Sequence, residues 1–250
     1  SAYAGDFAIF GTMYRLVYGF KDYLILTHTG RIDGSSKFQS ANKYGYFPSV
    51  ALAWKISNHT FMQNLNFINF CKLRLGWGQA GNSNLDPVEY MARLRRIEVT
   101  LNNQLVGAFQ PDGMDNPDVN WETVESTNAG IDLYLFNNRI QLVADYYIRT
   151  SKEMLIVLNL PTTVAPFGSP WMNSAMMTNK GAEFSLLTHN ISGNANWKTT
   201  FTYSYNKNEV IDTKGTDIQA RMTTQDPMVT YTSEGYPIAQ FYGFVTDGIF

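Results

Sequence analysis

Two runs of alternating apolar and polar residues meet at an Asn-Asn pair near the middle of the chain, and this stretch constrains the fold most. A period of two is typical of a β-strand whose two faces meet different environments. Asn tolerates the positive φ that a type I′ turn requires, so we expect Asn137 and Asn138 to be the central residues of such a turn. The stretch 116–150 therefore predicts a long β-hairpin.

Placing the turn at this pair fixes the register of the hairpin. Apolar residues then face each other across the strands, in the pairs Leu135 with Ile140, Leu133 with Leu142, Ile131 with Ala144, and Ala129 with Tyr146. The opposite face pairs Tyr134 with Gln141 and Gly130 with Asp145. A slip of one residue would destroy this match, so the agreement supports the assignment.

The same alternation predicts further strands along the chain. With the two arms of the hairpin they number about eight, and the others lie near residues 7–18, 23–31, 46–56, 72–79, 180–189 and 196–206. One or two helical turns are expected within 57–71, and an irregular stretch from about residue 80 to Trp121. The segment after residue 206 is expected to be loop until a strand begins near Phe241.

The connections between these strands alternate in length, with roughly 4, 15, 2 and 6 residues at one end and roughly 14, 42 and 22 at the other. Outer-membrane β-barrels have short periplasmic turns, longer extracellular loops, an apolar band facing lipid and a polar lumen. Aromatic residues near strand ends fit an interfacial girdle; they are Tyr18, Phe20, Tyr23, Trp54 and Trp197. We therefore predict an all-β fold, a transmembrane antiparallel β-barrel segment in the bacterial outer membrane.

A soluble β-sandwich, as a binding module or an enzyme domain, is the alternative, because sandwich strands also alternate. A connection of about 42 residues would be unusual in a sandwich. Within the barrel class, a passive porin is a further option. No run of 18 apolar residues is present, which excludes a transmembrane helix. Neither end has a signal peptide or tail, so residues 1–250 are expected to be part of a longer chain.

Composition narrows the function further. The formal net charge is -2, so neither nucleic acid nor an acidic surface is indicated as a partner. A single cysteine, Cys71, excludes an internal disulfide framework and a Cys-rich metal site. The three histidines, His28, His59 and His189, are far apart, and no metalloprotease, hydrolase, P-loop or dinucleotide motif occurs. We expect no catalytic residue and no cofactor.

One loop carries three carboxylates, at Asp112, Asp115 and Asp118. Carboxylate oxygens are ligands that Ca²⁺ prefers, but the spacing does not match an EF-hand loop. Asp and Asn also form Asx-turns in solvated loops, and this is the favoured interpretation. Calcium binding by these residues is left open, and no metal site is predicted.

Two sets of residues are candidates for transport. The charges expected to face the lumen are Arg15, Lys55, Lys72, Arg74, Asp132, Asp145, Arg149 and Lys198. Such charges either pair with carboxylates inside the barrel or remain hydrated. The aromatic residues expected on long loops, where they could stack on a sugar, are Tyr44, Tyr90, Phe109, Phe167, Trp171 and Tyr231. Packing of the loops and of a partner is the favoured role for these rings.

Several blocks resemble a known family. They are RIDGSSKF, NKYGYFPSVALAWKIS, KLRLGWGQAGN, NPDVNWETVESTNAGIDLYLFNNRIQLVADYYIRTSKEML, NKGAEFSLL and EGYPIAQFYGFVTDGIF. In this order, and over most of the chain, they are similar to the SusC/RagA family of TonB-dependent transporters from the outer membrane of Bacteroidota.

The resemblance implies a barrel of about 22 strands with an N-terminal plug, of which this chain is a portion of the wall. It also implies a SusD-like surface lipoprotein as partner and TonB-driven import of an oligosaccharide or a peptide. The plug, the TonB-contacting segment and the closing C-terminal strand of the family have no counterpart in this sequence. No residue-level mechanism is therefore transferred to it.

Overall fold

The computed structural model describes residues 6–62, 64–85, 91, 94–157, 161, 163–215, 218–220 and 230–243. Eight strands form one antiparallel sheet in the order β1-β2-β3-β4-β7-β8-β9-β10. Their bounds are β1 Ile9–Phe20, β2 Leu24–Ser35, β3 Tyr44–Lys55, β4 Ile68–Asn82, β7 Glu122–Leu135, β8 Ile140–Val157, β9 Trp171–Ile191 and β10 Trp197–Asp212. The eight predicted strands are confirmed.

Five shorter strands lie outside this sheet. A separate hairpin consists of β5 Leu94–Leu101 and β6 Gln104–Pro111, and a small sheet consists of β11 Ile218–Ala220, β12 Thr230–Thr232 and β13 Gln240–Phe241. The strand expected near Phe241 is thus only two residues long and pairs with β12. The prediction of an irregular stretch up to Trp121 was wrong for residues 94–111.

The central hairpin has the predicted register, with Leu135 opposite Ile140, and Ile131 opposite Ala144. Asn137 and Asn138 have φ values of 57° and 62°. The turn is closed by the Arg139 N–H, which donates to the carbonyl of Phe136 at 3.2 Å. Two residues with positive φ also form the β1–β2 turn, at Lys21 and Asp22, and the β5–β6 turn, at Asn102 and Asn103.

The eight-stranded sheet has two chemically different faces, because register partners lie on the same side. One face, the charged face, carries Arg15, Arg31, Arg74, Asp132, Asp145 and Arg149. Most of its other residues are small or polar, with apolar exceptions such as Met13 and Phe47. The other, the apolar face, carries rows such as Trp54, Leu73, Ile131, Ala144, Phe184 and Tyr203.

The apolar face is uncovered. Leu16, Leu75 and Tyr203 are 63%, 54% and 56% exposed, although each is a large apolar or aromatic side chain. A β-sandwich would bury such residues against a second sheet. No second sheet packs on this face within the described part of the chain. The observed exposure is that of a surface that faces lipid. Among the described residues, no helix is long and apolar enough to cross a membrane.

The two ends of the sheet differ as predicted. Residues 21–23, 56–67, 136–139 and 192–196 connect strands at one end, called the short end, and residues 36–43, 83–121 and 158–170 connect them at the other, called the long end. The helical turns expected within 57–71 amount to one 3₁₀ turn at Ile56–Asn58, because extended β4 begins at Ile68. The short end also gathers aromatic rings, since Trp54 donates its indole N–H to His59 at 2.8 Å and Tyr23 stacks on the same imidazole.

The largest buried cluster lies at the long end rather than within the sheet. It contains Phe38, Phe47, Leu85, Val119, Trp121 and Leu155, with Trp171 packed against it. Phe38, Leu85, Val119 and Trp121 lie in long-end connections. Phe47, Leu155 and Trp171 lie near the ends of the adjoining strands. This loop core holds the connections together, so the long end is a packed structure rather than a set of independent loops.

Candidate functional site

The charged face carries a four-residue ion-pair network near its centre. Asp132 accepts from Lys72 Nζ at 2.5 Å and from Arg74 Nη2 at 2.9 Å. Arg74 also contacts Asp145 Oδ2 at 2.9 Å. Lys72 and Asp132 are register partners on β4 and β7, and Asp145 follows on β8. The network, called the Arg74 network, therefore ties three adjacent strands together.

Gly130 makes room for this network. It is the register partner of both Arg74 and Asp145, so it lies between the two side chains. A Cβ at Gly130 would be 2.2 Å from Asp145 Oδ1 and 2.8 Å from Arg74 Nη2. The absence of a side chain lets the guanidinium cross β7 and reach β8.

The other predicted charges do not join this network. Arg15 and Arg149 share one row of the charged face but lie on β1 and β8. Arg149 is exposed and donates to Ser126 Oγ at 3.3 Å. Lys55 is the register partner of Lys72, and Lys198 is exposed near the short end. The charged face thus carries one neutralised ion-pair network, and Arg15, Arg149 and Lys198 lie outside it.

A shallow depression of about 240 Å³ lies beside the network. Its lining includes Asp145, Glu183, Ser185, Thr202 and Ser204, all on the charged face. Glu183 is exposed and stands directly opposite Asp145. Hydroxyl and carboxylate groups at this spacing can hold water and hydrogen-bond a polar solute without enclosing it.

The predicted aromatic residues lie in different surroundings. Tyr44 is the first residue of β3 and is 60% exposed on the apolar face, whereas Phe109 on β6 is 71% exposed. Phe167 is 41% exposed, and its carbonyl accepts from the Gly113 N–H at 2.8 Å. Trp171 packs against the loop core. Tyr231 lies in β12, and Tyr90 is outside the described residues.

Asparagine side chains lock the long-end connections to one another. Asn42 donates to the carbonyls of Asp118 and Val119 at 3.2 Å, and its own carbonyl accepts from the Trp121 indole at 3.1 Å. Asn173 accepts from the Asn120 N–H at 2.8 Å and donates back to the Asn120 carbonyl at 2.9 Å.

The sequence did not reveal these contacts, because Asn in a loop is more often a turn former. Their only local signal is the density of Asn beside Trp121.

The loop residues Asp112 and Asp118 make different contacts. Asp112 faces Arg95 at 3.9 Å, and the Asp118 N–H donates to Asn116 Oδ1 at 3.1 Å, which is an Asx-turn. Over the described residues, no group of three His, Cys, Asp or Glu side chains is arranged to hold a metal ion. The Asx-turn is thus made by the side chain of Asn116, and the role of the three carboxylates stays a prediction.

The sequence profile of the "TonB dependent receptor-like, beta-barrel" family matches residues 3–243. The chain is 38% identical over 218 residues to TonB-dependent receptor P26 of Formosa agariphila, covering 87% of this chain and 22% of that protein. It is 30% identical over 224 residues to TonB-dependent receptor SusC of Bacteroides thetaiotaomicron, covering 87% and 22%. The chain thus spans about a quarter of the length of these relatives or less.

The fold also matches solved structures. The RagAB peptide importer in its closed-closed state superposes with a TM-score of 0.81 at 27% identity, over 94% of this chain and 25% of that one. The FrpB iron transporter of Neisseria meningitidis matches with a TM-score of 0.53 at 13% identity, over 88% of this chain and 31% of that one, which shows a common fold only. The predicted barrel segment and the predicted resemblance are confirmed, and these relatives are receptors and transporters rather than enzymes.

Proposed function

Because this chain belongs to the TonB-dependent receptor β-barrel family of the outer membrane, we propose that it is a wall segment of a transporter that imports a nutrient with energy supplied through TonB. The observation that carries the proposal is the single antiparallel sheet with one uncovered apolar face, one charged face, and short and long connections segregated to opposite ends. A wall with this polarity separates lipid from a polar passage.

The charged face then lines the lumen and the apolar face contacts lipid. On the lipid side, Arg or Lys at mid-bilayer would cost about 2 to 4 kcal/mol. The charge of Arg74 is balanced by ion pairs with Asp132 and Asp145, and all three residues lie on the face of the sheet opposite the lipid. The short end is periplasmic and the long end is extracellular in this orientation. Energy coupling to TonB belongs to parts of the protein outside this segment.

A SusD-like surface lipoprotein is the proposed partner at the long end. The β5–β6 hairpin offers a surface for it, since one side of the hairpin has an apolar middle between Arg95 and Gln110 at its base and Gln104 at its tip. The apolar residues are Ile97, Val99, Leu101, Val106 and Ala108. Leu101 and Val106 are 63% and 43% exposed. A two-stranded hairpin is marginal alone, and docking of a partner on its apolar side would stabilise it. Leu85 and Val119, which flank the hairpin in the sequence, are buried in the loop core.

The proposed substrate is an oligosaccharide or a peptide, captured first at the long end. Of the predicted aromatic residues, Phe109 and Phe167 expose rings there and are the better placed to stack on a solute. Trp171 has its ring against the loop core, so its proposed contribution to binding includes holding that core in shape.

Uptake by intact cells tests the proposal. Cells that carry the full-length protein should accumulate a labelled oligosaccharide or a labelled peptide, and depletion of TonB should abolish this accumulation. Cells that lack the protein serve as the control. Uptake that persists without TonB would indicate a passive porin, and recovery of the full-length protein in the soluble fraction without detergent would refute the membrane assignment. The labelled substrate that accumulates distinguishes the two classes.

A further inference from the structure

Two lysines face each other directly on the apolar face near its long-end border. Lys180 on β9 and Lys207 on β10 are register partners, and both side chains are exposed. Lys180 is in turn the partner of Ile148 on β8, and the row continues from there through Thr127 to Trp77. Like charges placed directly opposite on neighbouring strands destabilise a sheet unless a counter-charge is present.

Among the described residues neither lysine forms an ion pair, although a carboxylate lies two residues further along the same face of β10. The nearby carboxylate on β10, Glu209, is opposite Thr178 and forms no ion pair with either lysine. Lys152, on the same face, does form an ion pair, since its Nζ lies 2.5 Å from Glu125 Oε2. Lys180 and Lys207, unlike Lys152, are therefore open to an anion from outside the chain.

The length of β10 places the pair relative to the membrane. From Trp197 to Tyr205 the apolar face of β10 is interrupted only by Thr199, and Phe201 and Tyr205 are both 54% exposed. This span is about nine residues, which is what a tilted strand needs to cross the hydrocarbon core. Lys207 is the next position on this face, so its ammonium lies at headgroup level at the long end.

We propose that Lys180 and Lys207 form a binding site for the phosphate groups of an anionic lipid headgroup in the outer leaflet. The inference rests on the proposed orientation, in which the apolar face contacts lipid and the long end is extracellular. A phosphate between the two ammonium groups removes their mutual repulsion and is held by charge-assisted hydrogen bonds. The tyrosines and phenylalanines below the pair contact the acyl chains of the same lipid.

Native mass spectrometry of the full-length protein in detergent tests the site. The probes are monophosphoryl lipid A, the same lipid after dephosphorylation, and inorganic phosphate as a competitor. Each lysine near an anionic surface contributes about fivefold to binding, so Lys180→Gln/Lys207→Gln should bind monophosphoryl lipid A about 30-fold more weakly. The matched control, Lys21→Gln/Lys198→Gln, removes the same charge at the short end and should bind the lipid as the unmodified protein does.

The outcomes separate the possible sources of binding. Loss confined to the phosphorylated lipid in the Lys180/Lys207 variant supports the site. Equal binding by both double variants, or an equal loss with dephosphorylated lipid, would overturn it. Full competition by millimolar inorganic phosphate would show an anion site that does not select lipid, and would also overturn it. Fractionation is run in parallel: a protein absent from the outer membrane defeats the proposed function itself, whereas a membrane-inserted protein without lipid selectivity defeats only this inference.

Discussion

Replacement of Arg74 by Gln should destabilise the barrel by removing the guanidinium that joins β7 and β8. Asp132 keeps its 2.5 Å contact with Lys72, but Asp145 loses the only ion pair that it forms in the described structure. A hydrogen bond to a charged group contributes about 1.5 to 3 kcal/mol. The side chains of Arg74 and Asp145 are 30% and 26% exposed, so solvent screens part of this energy. We expect a loss of about 2 kcal/mol in the free energy of unfolding.

Urea unfolding of the full-length protein in lipid vesicles, followed by tryptophan fluorescence, measures this loss. The control is Arg149→Gln, an exposed arginine on the same face whose hydrogen-bond partner is Ser126, and its cost should stay within about 0.5 kcal/mol. The double variant Arg74→Gln/Asp145→Asn removes the stranded carboxylate and should recover about 1 kcal/mol. The reasoning is refuted if Arg74→Gln costs no more than Arg149→Gln, or if the double variant is less stable than Arg74→Gln alone.

Two further predictions follow from close contacts. Gly130→Ala places a Cβ 2.2 Å from Asp145 Oδ1 and should lower the free energy of unfolding by about 1 to 3 kcal/mol, whereas Gly19→Ala, with no atom within 4 Å, should be close to neutral in the same urea titration. The Thr213 N–H, the Gly215 N–H and the Thr213 hydroxyl lower the pKa of the Glu234 carboxyl below its ordinary value of 4.5. The native state therefore binds this proton less readily than the unfolded state, and the stabilisation is present above pH 4.5 and is lost as pH falls through the lowered pKa. The protection factor of the Thr213 amide, which is the exchange rate corrected for its intrinsic pH dependence, should fall on acidification in the unmodified protein but not in Glu234→Gln, and equal acid sensitivity of the two would contradict the assignment.

The register of the central hairpin could be predicted because its causes are local. Alternation sets the faces, and the Asn137-Asn138 turn sets the pairing, so both are visible within a short stretch. The same signal was present at Asn102 and Asn103, between two β-strands. It was missed because Arg95, Arg96 and Glu98 interrupt the alternation in β5, as expected for a hairpin without a buried face.

The candidate sites depended on contacts that sequence alone does not contain. The prediction placed Lys72, Arg74, Asp132 and Asp145 on one face, but only the pairing of β4 with β7 brings Arg74 beside Asp132, 58 residues away. The Lys180-Lys207 pair likewise requires the register of β9 with β10. The hydrogen bonds of Asn42 and Asn173 at the long end join the β2–β3 connection, the β4–β7 connection and the start of β9. Each of these depends on long-range geometry, which no local pattern specifies.

The row that joins Arg15 to Arg149 has a consequence for a solute in the lumen. Arg15 lies five residues from the short-end terminus of β1, whereas Arg149 lies nine residues from that of β8. At a rise of about 3.3 Å per residue and a strand tilt near 40°, partners in one row differ in height by roughly 10 Å. The two arginines therefore lie at different heights, and in the proposed orientation an anionic group that moves along the lumen would meet them one after the other.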